Sequence, residues 1–173
     1  SQRMLLTCKV IRSNQVIHET VGLNDAVISR TSLSRLISIK LYVNEKIVTT
    51  YSCDGLIVST PAGTTAHSLS AGGPIVTPDM EAFAITPICP HTLSNRPLVV
   101  SGNSKVEMEQ ISESKGIGLT VDGQVYFDVK AGDRVVIEKA DKKLQLIDTQ
   151  TRTFYDVLKE KLNWRGQPAY DIN

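Results

Sequence analysis

Hydrophobic residues alternate with polar ones along much of this chain, and that alternation limits its possible folds more than any other feature. It is visible at 4–10, 106–108, 117–129 and 135–137. It is clearest at 37–43, where Ile37, Ile39, Leu41 and Val43 are separated by Ser38, Lys40 and Tyr42. A period of two places successive side chains on opposite faces of an extended strand. We therefore predict a domain built mainly from β-strands.

Short turn sequences separate the alternating segments. Val-Asn-Glu-Lys at 43–46 and Val-Asp-Gly-Gln-Val at 121–125 carry residues that tolerate the positive φ of tight hairpins, and Lys-Ala-Gly-Asp at 130–133 predicts another reversal. The resulting fold class is mainly β, an antiparallel, multi-stranded, sandwich-like domain. Two short helices are predicted, one beginning near Thr64 and one within 153–164, where apolar residues recur at helical spacing.

Length and composition predict one soluble domain over residues 1–173. The formal charge of +1 offers no basic excess for a nucleic-acid backbone. No apolar run approaches the ~20 residues of a membrane helix, so we expect a cytoplasmic protein without a membrane partner. Three dispersed cysteines favour free thiols, and His18, His67 and His91 lack the spacing of a zinc site.

The segment Ser-Thr-Pro-Ala-Gly-Thr-Thr-Ala-His-Ser-Leu-Ser-Ala-Gly-Gly-Pro, residues 59–74, is the first candidate for binding chemistry. Gly63, Thr64 and Thr65 precede the expected short helix, where unpaired backbone N–H groups and hydroxyls would favour a phosphate or another oxygen-rich ligand. There is no lysine of the Walker A kind. The same pattern also fits a helix that is simply capped after a turn, so the pattern alone leaves both interpretations open.

Other polar residues lie beside apolar segments. Asp54 follows Cys53 at a glycine-containing turn, and Asn24 and Asp25 adjoin an apolar strand. His91 lies in a proline-rich segment, where it could sense or donate a proton. The aspartates and Asn24 also fit ordinary turn residues, and His91 also fits a histidine bonded to local backbone.

No serine occupies a Gly-x-Ser-x-Gly elbow, which argues against a serine hydrolase.

Three segments taken together resemble the C-terminal domain of NAD kinases. They are Leu-Asn-Asp-Ala-Val-Ile at 23–28, the stretch from Ser52 to Pro78, and the stretch from Ile85 to Val100. The match runs from about Val21 to the closing Lys-Leu-Asn-Trp-Arg-Gly. The resemblance implies transfer of the terminal phosphoryl group of ATP, or of polyphosphate, to the adenosine ribose 2′-hydroxyl of NAD. A divalent cation such as Mg²⁺ accompanies the donor, and the product is NADP.

The resemblance also implies a homodimer or homotetramer and an N-terminal α/β domain with a Gly-Gly-Asp-Gly loop. The aspartate of that loop would accept the proton of the attacking hydroxyl. The 173 residues contain no such loop. We therefore expect a domain of a longer kinase that binds the dinucleotide and mediates subunit contacts. We expect it to hold no catalytic residue and no side-chain metal site, and to be inactive by itself.

The resemblance assigns NAD-binding residues position by position. Asn24 and Asp25 match an Asn-Glu pair, and Asp54 matches an aspartate that can reach a dinucleotide in the neighbouring subunit. His67 stands where tyrosine is usual, which keeps a flat ring and changes its polar tip. The adenosine pocket would comprise Thr65, Ala66, His67 and Ser70, and the supporting residues would be Thr60, Gly63, Thr64 and His91.

Two other functions remain compatible with the sequence motifs. A related lipid or sphingoid-base kinase domain shares the architecture, although the segments around 59–67 and 87–94 resemble NAD kinases more closely. Comparing lipid with NAD binding would separate the two. A non-catalytic nucleotide-binding β-sandwich would bind a dinucleotide as a monomer, whereas the kinase domain would be oligomeric and would bind weakly without its partner domain.

Overall fold

The computed structural model describes residues 1–31, 36–92, 95–113, 115–147 and 151–164. The motif residues Leu93, Ser94, Arg165 and Gly166 lie outside these ranges. Within them, the mainly β prediction is confirmed, because twelve strands and short helical segments make up the fold. The strands are β1 Gln2–Arg12, β2 Gln15–Gly22, β3 Asp25–Arg30, β4 Ile37–Val43, β5 Lys46–Cys53, β6 Gly55–Ser59, β7 Ala82–Ile88, β8 Leu98–Ser101, β9 Val106–Gln110, β10 Ile117–Val121, β11 Val125–Asp128 and β12 Arg134–Gln145.

Two six-stranded antiparallel sheets enclose one hydrophobic core. The first sheet has the order β2-β1-β12-β9-β4-β5 and the second has the order β11-β10-β3-β6-β7-β8. Apolar side chains from both sheets form a single buried cluster that includes Leu6, Ile39, Ile28, Phe83 and Leu119. Removing these side chains from water is the main favourable contribution to folding. The predicted alternation therefore corresponds to one inward and one outward face on most strands.

Tight turns connect the strands, and the two predicted hairpins are confirmed. The φ angles are 49° and 67° at residues 44–45, and 53° and 68° at residues 122–123. A third such turn, at residues 13–14 with φ of 50° and 63°, was not predicted. The predicted reversal at 130–133 transfers the chain from β11 in one sheet to β12 in the other.

The C-terminal helix, α2 Phe154–Lys161, confirms the second helix prediction. Its first turn is closed by a capping box: the Thr153 hydroxyl accepts the Asp156 N–H, and the Asp156 carboxylate accepts the Thr153 N–H. Leu158 is buried, whereas Tyr155 and Trp164 remain largely exposed. None of the helices in the described residues is long and apolar enough to cross a membrane.

The outer face of the second sheet is covered in part by the segment that follows β6. Val27 and Ile57 face away from the main core yet are buried, and Thr64 accepts a hydrogen bond from the Val76 N–H at 3.1 Å. The Ser68 and Thr86 hydroxyls lie 3.0 Å apart. This covering segment contains a 3₁₀ turn, Ala62–Thr65, and a single α-helical turn, α1 His67–Ser70. It brings the candidate residues of 60–70 against the strand ends that carry Asn24 and Asp25.

Candidate functional site

Asn24 and Asp25 lie at the beginning of β3, on the edge of the second sheet where β6 ends. Asp25 pairs with Ser59, the last residue of β6. Ala26 and Ile28 belong to the core, so the alternation of the strand directs Asp25 to the outer face. The residue as a whole is 5% exposed. The two residues therefore stand beside the covering segment on one face of the sheet.

The backbone before β3 is held by an aspartate that is distant in sequence. One carboxylate oxygen of Asp122 accepts the Leu23 N–H at 2.7 Å. The other oxygen accepts the N–H groups of Asn24 at 2.7 Å and Asp25 at 3.1 Å. The Asp122 N–H in turn donates to the Asp25 carbonyl at 2.9 Å. Bonds to an ionised acceptor are stronger than neutral ones, so this contact firmly locates the segment.

The opposite side of the same segment is closed by Thr60 and Gly63. The Thr60 hydroxyl donates to the Leu23 carbonyl at 2.5 Å, and the Thr60 N–H donates to the Asn24 carbonyl at 2.8 Å. A Cβ atom added at Gly63 would lie 1.9 Å from the Asn24 carbonyl oxygen. Only glycine permits this close approach. Thr60 and Gly63, which the sequence offered as supporting residues, thus position Asn24 through its backbone.

Asp25 has an electrostatically unfavourable position. Burial raises the pKa of its carboxyl group, the nearby His67 opposes that rise, and the negative charge of Asp122 adds to it. Among the described residues, none donates a hydrogen bond to this carboxylate. His18 Nε2 is the buried side-chain atom without a hydrogen-bond partner in the described residues, so the Asp25 oxygens keep some contact with solvent, and ligand hydroxyl or amino groups can donate to them there. The arrangement can therefore accept hydrogen bonds from a polar ligand.

The helix beginning predicted near Thr64 differs in detail from the structure. A 3₁₀ turn ends at Thr65, Ala66 leaves the helical region with φ −102° and ψ −128°, and α1 is one turn long. The Gly63 N–H donates to the Thr60 hydroxyl at 3.3 Å and the Thr64 N–H donates to the Thr60 carbonyl at 3.1 Å. The expectation of unpaired N–H groups is therefore wrong at these two positions. The alternative, a capped turn, describes them.

The predicted adenosine-pocket residues lie along the outer surface of this segment. Ala66, His67 and Ser70 are exposed, and Thr65 is half-buried with its hydroxyl 3.3 Å from the Ala62 carbonyl oxygen. Thr64 is buried and its hydroxyl donates to the Pro61 carbonyl at 2.7 Å. The exposed residues can contact a ligand, whereas Thr64 stabilises the turn that presents them.

Asp54 and His91 are not brought together with the other candidates. Asp54 precedes β6 and forms an ion pair with Arg30 at 2.9 Å, and the His91 N–H donates to the Ser52 carbonyl at 3.0 Å. Ser59 lies five positions after Asp54 along an extended strand, which corresponds to roughly 17 Å. These two residues therefore lie near the opposite end of the second sheet.

The described residues do not form a metal centre. No group of three or more histidine, cysteine, aspartate or glutamate side chains in them could hold a metal ion. Asp25 and Asp122 are close, but Asp122 already accepts three backbone N–H groups. The donor set at the site therefore does not fit a divalent cation held by the described side chains alone.

The sequence interpretation missed Asp122 as a member of this site. The Asp-Gly pair was used only to predict a hairpin, and that prediction was correct. The second role of Asp122 depends on partners 97 to 99 positions earlier in the chain. No local pattern indicates such a contact.

Comparison with known proteins identifies what the chain is similar to. Residues 23–149 match the family model described as the ATP-NAD kinase C-terminal domain. The chain is 48% identical to the NAD kinase of Desulforamulus reducens over 166 residues, which is 95% of this chain and 58% of the relative. It is 43% identical to the NAD kinase of Geobacter metallireducens over 164 residues, again 95% of this chain and 58% of the relative. The chain thus spans less than two thirds of the length of these relatives.

Solved structures show the same fold. Yeast NADH kinase, crystallised in complex with NADH, superposes with a TM-score of 0.76 and 32% identity over 81% of this chain and 41% of that protein. An NAD kinase from Archaeoglobus fulgidus in complex with ATP gives a TM-score of 0.78 and 27% identity over 96% of this chain and 61% of that protein.

Proposed function

This chain belongs to the family of ATP-NAD kinase C-terminal domains, and from that membership we propose that it is the dinucleotide-binding domain of an NAD kinase. The complete enzyme transfers the terminal phosphoryl group of ATP to the adenosine ribose 2′-hydroxyl of NAD and forms NADP. One observation carries the assignment of the site: Thr60 and Gly63 hold the Asn24–Asp25 segment beside the turn that presents the exposed residues Ala66, His67 and Ser70. The yeast relative, solved with NADH, supports a dinucleotide as ligand.

The side chains at this site suit the polar groups of an adenosine ribose. The Asp25 carboxylate accepts hydrogen bonds only, which matches ribose hydroxyls, and the Asn24 amide both donates and accepts. His67 offers a flat ring to the adenine, and Ser70 and Thr65 offer hydroxyl groups at the same surface. In this proposal these residues bind and orient the acceptor. A correctly oriented hydroxyl reduces the barrier to phosphoryl transfer.

The phosphoryl-transfer step itself needs a group beyond those described. Such a transfer depends on positioning, on charge stabilisation and on a carboxylate at the attacking hydroxyl. In this proposal the carboxylate comes from a Gly-Gly-Asp-Gly loop on a polypeptide segment outside the 173 residues. ATP, or polyphosphate, and the divalent cation would meet the acceptor there. The chain by itself would then bind NAD without phosphorylating it.

Asp54 acts from another subunit in this proposal. Asp54 is paired with Arg30 and lies roughly 17 Å from Ser59. Within one chain, it is therefore poorly placed to contact a dinucleotide bound at Asn24 and Asp25. A homodimer or homotetramer would place the Asp54 end of one subunit at the dinucleotide of its neighbour. His91, near the same end, would support that contact.

Two measurements test this function. Calorimetric titration of the chain with NAD should show binding that Asn24→Ala weakens by about tenfold, whereas Asp141→Asn, an exposed charge change on β12, should leave it unaltered. Unchanged affinity in Asn24→Ala would count against the assigned site.

The second measurement is NADP formation from Mg-ATP and NAD. We expect no product from this chain alone and product after adding the N-terminal portion of the Desulforamulus reducens relative. Product from this chain alone would show that Asp25 or Asp54 can replace the expected carboxylate. The mechanism proposed above would then be wrong.

A further inference from the structure

We propose that Asp122 is a positioning residue for dinucleotide binding, because its carboxylate holds the Leu23–Asp25 backbone in the conformation that presents Asn24 and Asp25 to NAD. This inference rests on the proposed function. Asp122 itself is not placed in contact with the ligand. It acts through the three N–H groups that it accepts.

The hairpin that contains Asp122 does not require its carboxylate. The turn needs positive φ at residues 122 and 123, which asparagine or glycine would also provide. The Gln124 N–H closes the turn on the Val121 carbonyl at 3.1 Å without help from the Asp122 side chain. The side chain instead reaches across to the start of β3. Its role therefore lies in the Leu23–Asp25 segment.

An ionised carboxylate fits these three donors better than any other small side chain. Both of its oxygens are acceptors and both are occupied, one by the Leu23 N–H and one by the N–H groups of Asn24 and Asp25. An asparagine would offer one acceptor and place an NH₂ group against a backbone N–H. Replacing one carboxylate oxygen by the NH₂ group of asparagine should therefore weaken this contact.

The Asp122 contact is one half of a clamp on the backbone. Asp122 holds the N–H groups, while Thr60 and Gly63 hold or confine the carbonyl groups of Leu23 and Asn24. With both sides occupied, the peptide planes of this segment cannot rotate freely. A segment already ordered in its bound conformation loses less entropy when it binds. The clamp thus favours NAD binding without adding a contact to NAD.

The position of Asp122 also has an electrostatic cost. Its negative charge lies close enough to Asp25 to raise the pKa of that buried carboxyl group. Two neighbouring carboxylates destabilise a fold, yet both are found at the point where a polar ligand is expected. Groups that conflict with stability are often retained for function.

The test compares Asp122→Asn with Asp128→Asn, a matched change at the other end of the same hairpin, where the exposed carboxylate accepts the Tyr126 hydroxyl at 2.9 Å. We expect Asp122→Asn to raise the Kd for NAD at least about tenfold while thermal unfolding stays cooperative, and Asp128→Asn to leave the Kd unchanged. Wild-type affinity in a folded Asp122→Asn variant would overturn the inference.

Hydrogen exchange separates this inference from the proposed function and does not depend on a variant. In the ligand-free wild-type chain, the amides of residues 23–25 should already be protected and should gain little protection when NAD is added. Rapid exchange that slows only with NAD would overturn the inference. If the wild type does not bind NAD, the proposed function is wrong, while loss of protection at 23–25 in Asp122→Asn would still support the anchoring contact.

Discussion

Asp25 is the residue at which the proposed binding role and the stability of the fold conflict. The residue is largely buried near Asp122, and its carboxylate receives no hydrogen bond from the described residues. Its pKa is therefore raised in the folded protein. A carboxyl group with a raised folded-state pKa stabilises the fold when protonated, and that contribution is lost as the pH rises through the folded pKa. At neutral pH the ionised group costs folding free energy.

Replacing this charge should separate stability from binding. We expect Asp25→Asn to unfold at a higher urea concentration than the wild type at pH 7, because the buried charge is gone. The difference should shrink at about pH 3, below the usual pKa of an aspartate, where the wild-type group is protonated in both states. The same variant should bind NAD about tenfold more weakly. A lower midpoint at pH 7 would show that the carboxylate stabilises the fold.

At the scale of elements, the hairpins show where backbone conformation and residue type agree and where they conflict. In the β4–β5 turn, Asn44 has φ 49° and Glu45 has φ 67°. Asparagine tolerates this left-handed conformation, whereas glutamate adopts it at a cost. The alternating strands on either side keep the turn in place despite that cost.

Glu45→Gly should stabilise the protein by about 0.5–1 kcal/mol, because glycine adopts positive φ without steric strain. The gain would be measured as a shift in the urea midpoint. Glu45→Ala is the matched control, since it removes the charge and keeps the Cβ atom. Equal shifts in the two variants would attribute the effect to charge and contradict the conformational explanation.

Across the whole molecule, the connection at 130–133 takes the chain from the second sheet to the first and ends at a buried carboxylate, that of Asp133. Asp133 is 1% exposed and accepts the Arg12 Nε at 2.8 Å, the Arg12 Nη2 at 2.7 Å and the Lys130 N–H at 2.8 Å. Burial alone would raise the pKa of Asp133, but Arg12 and Lys130 outweigh it, and the pKa lies below its ordinary value. The ion pair links β1 to the point where β12 enters the first sheet.

Asp133→Ala should destabilise the whole fold by about 2–3 kcal/mol, because it leaves Arg12 and the Lys130 N–H without their acceptor. Since the folded pKa is lowered, the stabilisation from Asp133 is present above the unfolded pKa and is lost as the pH falls through the acid range. Urea denaturation should therefore show a larger difference from the wild type at pH 7 than at pH 3. An equal loss at both pH values would assign the effect to packing.

The sequence by itself determined the fold class, the two predicted hairpins and the C-terminal helix, because alternation, turn residues and capping act over a few neighbouring positions. Its likeness to NAD kinases also pointed to the family. The tertiary structure decided which strands are neighbours, such as β12 between β1 and β9, and buried both faces of β6. It also decided the position of Asp122. These features depend on contacts between residues as much as 99 positions apart, which form only when the two sheets and the covering segment pack together.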